Sequence, residues 1–203
     1  MKKYAVLHEP GDIVTLAGTR FVVLDVERRG SLPDSLFLLA LESVGASEFG
    51  SSNNYAESDL KKAVDKWLED MGKRGLDNAK LIPREIDLTT LDGSGCYGKL
   101  SVKAAPLTLD EAREYADIIP NAERWCWLAT GWSGPSKSDG DLALYVYSDG
   151  DWNHGHCSNS YGIRPALKIP SDLLLDSADK PDLSEVPTDT LLEEIRRRVV
   201  DKA

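Results

Sequence analysis

The side chains most able to do chemistry are concentrated between residues 147 and 160. His154, His156 and Cys157 are of the types that bind zinc or copper. The i, i+2 spacing of the two histidines would place both on one face of a strand. A closed structural site needs four ligands, however, and the third histidine, His8, is remote in the sequence. We therefore interpret these residues as part of a surface that tolerates many residue types rather than as a metal site, assign no cofactor, and leave open whether a structural metal ion binds.

Two other chemistries have suitable residues but no supporting pattern. Calcium needs clustered oxygen ligands, and the candidate aspartates are equally typical of turns. These candidates are Asp139, Asp141, Asp149 and Asp151. A cysteine nucleophile with a histidine base would use Cys126 or Cys157, but their spacing does not favour it. The patterns G-x-x-x-x-G-K-[ST] and G-x-S-x-G are also absent from the sequence, and we predict that the chain is not an enzyme.

Binding is the function that the composition of residues 147–161 favours. The segment mixes aromatic and hydrogen-bonding residues with almost no aliphatic ones, which is typical of a recognition surface. The plainer interpretation is a polar hairpin with one or two tryptophans filling the core. Four of the five tryptophans lie within 28 residues. We expect Trp125 and Trp127 to be structural, and Trp132 and Trp152, which lie beside polar turns, to be exposed.

Composition narrows the remaining possibilities. The chain has 203 residues, 41% hydrophobic, and a formal charge of −10, so we expect a folded protein that binds neither nucleic acid nor an anionic membrane surface. Its apolar stretches are too short for a membrane helix, and the apolar run within residues 1–10 is too short for a signal peptide. We therefore expect no membrane insertion, and synthesis in the cytosol followed by retention there or packaging into a particle such as a virion. Cys96, Cys126 and Cys157 are widely spaced and odd in number, unlike a disulfide framework.

The first half of the chain predicts a hairpin and an amphipathic helix. Alternation in Arg20–Val26 and the apolar run Leu36–Leu41 predict two strands within residues 12–41. Helical spacing of apolar residues continues from Leu60 to Met71, and we expect this helix to begin in a capping box at Asn54 and to end at Gly72.

The second half predicts a short helix, then strands. Thr108 and Glu111 form a capping box for a helix that ends before Pro120. The strands expected after it are 125–129, 142–147, a returning segment after a two-residue Asp149-Gly150 turn, and 163–169. Proline-rich residues 170–187 predict a linker, and residues 188–203 a C-terminal helix. A helix this short must dock on the domain, on a second copy of the chain or on another protein in a particle.

Three segments resemble a C-type-lectin-like domain family of bacteria and phages. The family pattern is a W-W-L run, a Y-V-x-S-D-G hairpin and a closing G-V-R-P-A-L, which resemble residues 125–130, 144–150 and 161–167. Residues 52–60 match the start of the family's first helix. The resemblance implies an α+β, C-type-lectin-like fold with two helices and small antiparallel sheets over residues 1–169, followed by the linker and the C-terminal helix.

Some members of this family are variable proteins of diversity-generating retroelements, and this chain resembles them. In these systems adenine-directed copying rewrites chiefly asparagine codons on the ligand-binding surface. Tyr147, Asp151, His154, Gly155, His156 and Ser158 are residue types that such rewriting can produce, with Asn153 and Asn159 unchanged. Trp152 is not reachable from an asparagine codon, which favours a fixed scaffold residue or another route of change.

The resemblance therefore implies a protein or carbohydrate ligand on a cell surface. The predicted contacts are Trp132, Tyr147, Asp151, Trp152, Asn153, His154, His156, Ser158 and Asn159. An alternative function is a metal-dependent activity on the same fold, above all that of formylglycine-generating enzymes, which share the fold and bind copper with a cysteine pair. Cys126 and Cys157 would be that pair here, although no other signature of that family is present.

Overall fold

The computed structural model describes residues 2–4, 8–29, 32–135 and 137–177. Within them the chain forms a mixed α+β structure with two α-helices, α1 (Asp59–Lys73) and α2 (Leu109–Glu114). The strands in chain order are β1 (Lys2–Tyr4), β2 (Ile13–Leu16), β3 (Thr19–Arg29), β4 (Leu32–Ala40), β5 (Ala46–Glu48), β6 (Arg84–Asp87), β7 (Lys99–Val102), β8 (Ala104–Ala105), β9 (Cys126–Gly131), β10 (Leu142–Val146), β11 (Trp152–His156), β12 (Ser160–Gly162), β13 (Ala166–Pro170) and β14 (Leu174–Ser177). The α+β class is thus as predicted.

The larger sheet has seven antiparallel strands in the order β1-β14-β2-β3-β4-β13-β8. The predicted hairpin of residues 12–41 is its centre, where β3 pairs with β4. Phe21 and Val23 pack into one buried cluster, while Val22 and Leu24 pack into a second. Because both faces of these strands are buried, consecutive residues along each strand are apolar instead of alternating with polar ones.

The helix predicted from apolar spacing is α1, but both of its ends differ from the prediction. Ser58 is its N-cap, with the hydroxyl oxygen accepting a bond from the Lys61 N–H at 2.9 Å. Asn54 instead caps a separate 3-10 turn over residues 55–57. The helix continues past Gly72, and the left-handed residue that follows its end is Gly75, at φ 102°.

The capping box predicted for the second helix is confirmed. The Thr108 hydroxyl accepts a bond from the Glu111 N–H at 3.2 Å, and the Glu111 carboxylate accepts one from the Thr108 N–H at 2.8 Å. The Arg84 guanidinium forms an ion pair with the same carboxylate and ties the start of α2 to β6.

The smaller sheet carries the hairpin singled out by the sequence. Its order is β11-β10-β9-β12-β5, with only the β9–β12 pair parallel among the pairs described. The strand predicted at 125–129 is displaced by one residue at its start, and all six residues of β9 are buried. The connection after β10 spans residues 147–151 rather than a two-residue turn, with Gly150 at φ 96°.

The last strand predicted, 163–169, is observed as β13, which starts after Pro165. Proline has no N–H to donate to a ladder, which suits its place just outside the strand. Within residues 170–187, predicted as a linker, Pro170 closes β13 and Leu174–Ser177 forms β14 between β1 and β2. The remainder of that linker and the helix predicted at 188–203 lie outside the described residues.

Candidate functional site

Strand β11 divides the predicted contact residues between two faces of the smaller sheet. Asn153 pairs with Tyr145, and Gly155 pairs with Ala143. Trp152, His154 and His156 occupy the alternate positions of the strand. Because successive strand residues point to opposite faces, the predicted residues do not form one continuous surface.

The first face, called here the tyrosine face, consists of Tyr145, Tyr147 and Tyr161 with Trp125. The Trp125 ring stacks on Tyr145, with centroids 5.3 Å apart and planes 13° apart. It meets Tyr147 and Tyr161 edge-on, at 4.9 and 5.6 Å. These are favoured aromatic geometries. Trp125 nevertheless remains 42% exposed, so the ring both packs on this face and is accessible to solvent.

Two asparagines from the predicted contact set hold the hydroxyl groups of the tyrosine face. The Asn153 side chain donates to the Tyr147 hydroxyl at 2.9 Å, and the Asn159 side chain donates to the Tyr161 hydroxyl at 3.0 Å. Burial raises the pKa of Tyr145 well above its ordinary value. The tyrosine face is therefore a group of interlocked rings, two of whose hydroxyl groups are held by asparagine side chains.

The side chains of Tyr161 and Asn159 leave little space beside Gly155 on this side of β11. A β-carbon at Gly155 would lie 3.0 Å from the Tyr161 hydroxyl oxygen and 3.2 Å from the Asn159 side-chain nitrogen. Any larger residue would have to displace the Tyr161 ring. The resemblance implies that Gly155 is among the rewritten positions, and the packing around it would limit which residues it accepts.

The second face, called here the cleft face, consists of Trp132, Trp152, His154 and His156. His154 lies against Trp132 with ring centroids 3.9 Å apart, and Trp132 packs on the buried cluster beneath it. Trp132 is thus half-buried rather than exposed. Trp152 is 45% exposed, as predicted, and lies under the Arg113 guanidinium at 5.4 Å.

The turns at the two ends of β11 carry the remaining predicted residues. Asp151 and Ser158 are both exposed. Cys157, next to Ser158 in the chain, is buried. Its N–H donates to the Asp141 carbonyl at 2.7 Å, and its carbonyl accepts from the Phe49 N–H at 2.8 Å. The exposed side chains therefore project from a backbone that is anchored to the sheet.

A cleft of about 430 Å³ opens between α2 and strands β9 and β10. Its walls are mostly apolar, and Trp152 stands at its border. Arg164, a residue of the closing sequence motif, also borders it. Neither the cleft nor the position of Arg164 at its border was predicted, because both depend on segments that are far apart in the sequence.

The two cysteines of the copper alternative lie at opposite ends of β10. Cys126 pairs with Val146, and the Cys157 N–H bonds to Asp141, which places them roughly 17 Å apart along the strand direction. Metal–sulfur bonds are only about 2.3 Å long. Burial raises the pKa of Cys126 to about 11 and that of Cys157 to about 12. The pair does not fit a shared copper ion, and the described residues hold no cluster of three side chains of metal-binding type.

A glycine pattern in the middle of the chain, residues 93–98, has the G-x-G-x-x-G spacing of dinucleotide-binding loops. It connects β6 to β7, which pair as an antiparallel hairpin. A pyrophosphate site needs the loop to open a helix after a strand. The spacing therefore carries no nucleotide-binding function in this fold.

Comparison with known proteins gives no relative: no family model, no curated protein and no solved structure matches the chain. What the structure defines is a mixed α+β protein, mostly of β-sheet with two helices in the part described. Neither of those helices has the length and hydrophobicity needed to cross a membrane.

Proposed function

We propose that this chain is a ligand-recognition protein with a C-type-lectin-like fold, and that its ligand is a protein or carbohydrate on a cell surface. The observation that carries the proposal is the combination of an anchored backbone with exposed side chains from Asp151 to Ser158. Four of the predicted contacts are exposed there: Asp151, Trp152, His156 and Ser158.

The two exposed tryptophans support this proposal. Trp125 and Trp152 are the large apolar side chains that stand most exposed among the described residues. They flank the β10–β11 hairpin, one on each face. Exposed aromatic side chains of this size are common anchors of interfaces, because they bury much area and lose little conformational entropy on binding.

We also propose that a retroelement diversifies part of this surface. Exposed side chains away from caps and cores can be exchanged at little cost to stability. Asp151 and Ser158 meet that condition, and His156 has only an exposed contact with Asp141 at 3.0 Å. Asn153 and Asn159, which hold the tyrosine face, are expected to be retained.

The locus around the gene tests the diversification. A reverse transcriptase and a template copy of the region encoding residues 125–167, differing at adenines, are expected nearby. Absence of both would remove this part of the proposal and leave ligand recognition itself to the binding experiment.

Binding is tested with the purified full chain on a glycan array and on intact bacterial cells. We expect saturable binding by the wild-type chain and binding at least tenfold weaker by the double variant Trp152→Ala/Ser158→Arg. A single anchor residue can contribute about 2 kcal/mol to the binding free energy. The matched control is Lys66→Ala on the exposed side of α1. Equal binding by all three proteins, or no binding to either probe, would contradict the proposal.

A further inference from the structure

The indole of Trp125 is packed from one side. Tyr145 stacks on one of its ring faces, with planes 13° apart. The ring centroids of Tyr147 and Tyr161 lie 5.1 and 4.6 Å from that of Tyr145, so the three tyrosines are grouped on the same side of the indole. The 42% exposure of Trp125 therefore belongs chiefly to the opposite ring face and its edges. This open face is flat, apolar and fixed in orientation before any ligand binds.

A depression of about 460 Å³ borders the same indole. Four polar side chains that line it are exposed, namely Glu123, Arg124, Ser148 and Ser160. Within the part of the chain that the structure describes, these four side chains form no hydrogen bond and no ion pair. Their donors and acceptors are therefore bonded to solvent and can be taken up by a ligand.

Gly162, which also lines the depression, fixes the indole and the guanidinium relative to each other. Its N–H donates to the Trp125 carbonyl at 2.7 Å. A β-carbon at Gly162 would lie 2.9 Å from Cδ of Arg124 and 2.8 Å from the Cys126 sulfur. The lack of a side chain thus lets the stem of Arg124 lie against the backbone that holds Trp125. An aromatic face and a charged donor group are brought side by side.

The charges at the depression narrow the class of ligand. Glu123 and Arg124 contribute one charge of each sign, so a cationic ligand would be opposed by Arg124 and an anionic one by Glu123. A wholly apolar ligand would remove water from both charged groups without replacing their hydrogen bonds. A neutral sugar avoids both costs. Its ring C–H groups suit the electron-rich face of an indole, and each of its hydroxyl groups both donates and accepts hydrogen bonds.

We propose that Trp125 and the depression beside it bind a neutral carbohydrate, with a pyranose ring on the open face of the indole and its hydroxyl groups bonded to Glu123 and Arg124. This inference rests on the proposed function, since Trp125 is one of its two exposed anchors, and it narrows the ligand class at that anchor. The depression itself is separate from the exposed contacts between Asp151 and Ser158.

The first test uses the full chain on an array of neutral and acidic glycans. We expect binding to at least one neutral glycan, about tenfold weaker or more in Trp125→Ala and partly restored in Trp125→Phe, which keeps an aromatic face. The location is checked by NMR, where the Trp125 indole N–H signal should shift when the bound glycan is added. Binding to acidic glycans alone, no binding, or equal binding by Trp125→Ala would overturn the proposal.

A second pair of variants tests the polar groups beside the ring. Arg124→Met is expected to weaken binding of the same glycan about fivefold, because it removes the donors to the hydroxyl groups. The matched control is Arg28→Met, at an exposed arginine of β3, which should bind as the wild-type chain does. Equal affinities of these two variants would overturn the proposal.

Bacterial cells treated with periodate separate a carbohydrate from a protein ligand, because periodate cleaves the neighbouring hydroxyl-bearing carbons of sugars. We expect the treatment to abolish the part of cell binding that depends on Trp125. Binding that survives periodate and is lost in Trp125→Ala would assign the indole to a protein partner and overturn the proposal. Loss of binding in Trp152→Ala/Ser158→Arg but not in Trp125→Ala would also overturn it, while leaving the proposed function in place.

Discussion

The two faces of strand β11 hold their side chains by different means. On the tyrosine face the polar groups satisfy one another, as Asn153 does with Tyr147, and the rings interlock. On the cleft face the contacts are looser: Trp152 stays 45% exposed under Arg113, beside a cavity of about 430 Å³. One strand of mixed polar composition thus builds a self-contained cluster on one side and an open surface on the other.

The largest effect should separate two tryptophans that both contact the tyrosine face. Trp127 is 1% exposed, and its indole N–H donates to the Ser47 carbonyl at 2.9 Å. We expect Trp127→Ala to lower the free energy of unfolding by about 3–5 kcal/mol. Trp125→Ala should lower it by only about 1 kcal/mol, because the ring is half in solvent. Urea denaturation measures the free energy of unfolding of both variants. Similar losses in the two would show that the buried Trp127 does not anchor the tyrosine face more firmly than Trp125.

The next effect tests how tightly the tyrosine face is packed against β11. Gly155→Val should lower the free energy of unfolding by about 1–3 kcal/mol, because the new β-carbon would lie 3.0 Å from the Tyr161 hydroxyl oxygen and the ring would have to shift. His156→Val is the control, since it places the same side chain one residue further on, at an exposed position of the cleft face. If both variants melt at the wild-type temperature, the asymmetry between the faces is refuted.

A smaller effect tests the hydrogen bonds that satisfy the phenols. Asn153→Ala removes the donor to the Tyr147 hydroxyl and should lower the free energy of unfolding by about 1 kcal/mol. Ser158→Ala, at an exposed turn position, should leave it unchanged. Combining Asn153→Ala with Tyr147→Phe gives a double-mutant cycle. A zero coupling energy in that cycle would mean that this bond does not stabilise the face.

The smallest effect on stability is expected on the open side. Trp152→Ala removes an exposed ring whose main contact is Arg113 at 5.4 Å, and should lower the free energy of unfolding by about 0.5 kcal/mol. Thermal unfolding of Trp152→Ala, compared with that of Arg113→Ala, measures this loss of stability. A loss comparable to that of Trp127→Ala would place Trp152 in the core and remove it from the proposed surface.

Prediction from sequence succeeded where a pattern is local and repeated. The apolar spacing from Leu60 to Met71 gave a correct helix, and the Thr108–Glu111 capping box is formed as predicted. It failed at the start of α1, because Asn54 and Ser58 are both good caps and only the 3-10 turn between them decides which one serves the helix.

The candidate site was predicted in composition but not in arrangement. The sequence identified the polar and aromatic segment around β11, since its residue types differ from those of core strands. It could not divide that segment into two faces, because the register with β10 sets which residues point where. Trp132 was assigned the wrong exposure for the same reason: burial depends on neighbours brought from other strands.

The sequence by itself determined the α+β class, the two helices and the hairpin segment rich in recognition residues, since periodicity and capping act over a few neighbouring residues. The tertiary structure alone decided the interlocked tyrosines, the cleft beside α2 and the buried position of Arg164. These features join side chains separated by tens of residues, such as Arg164 and the Ala40 carbonyl. Long-range pairing of strands creates such contacts, and no local pattern encodes which pairs will meet.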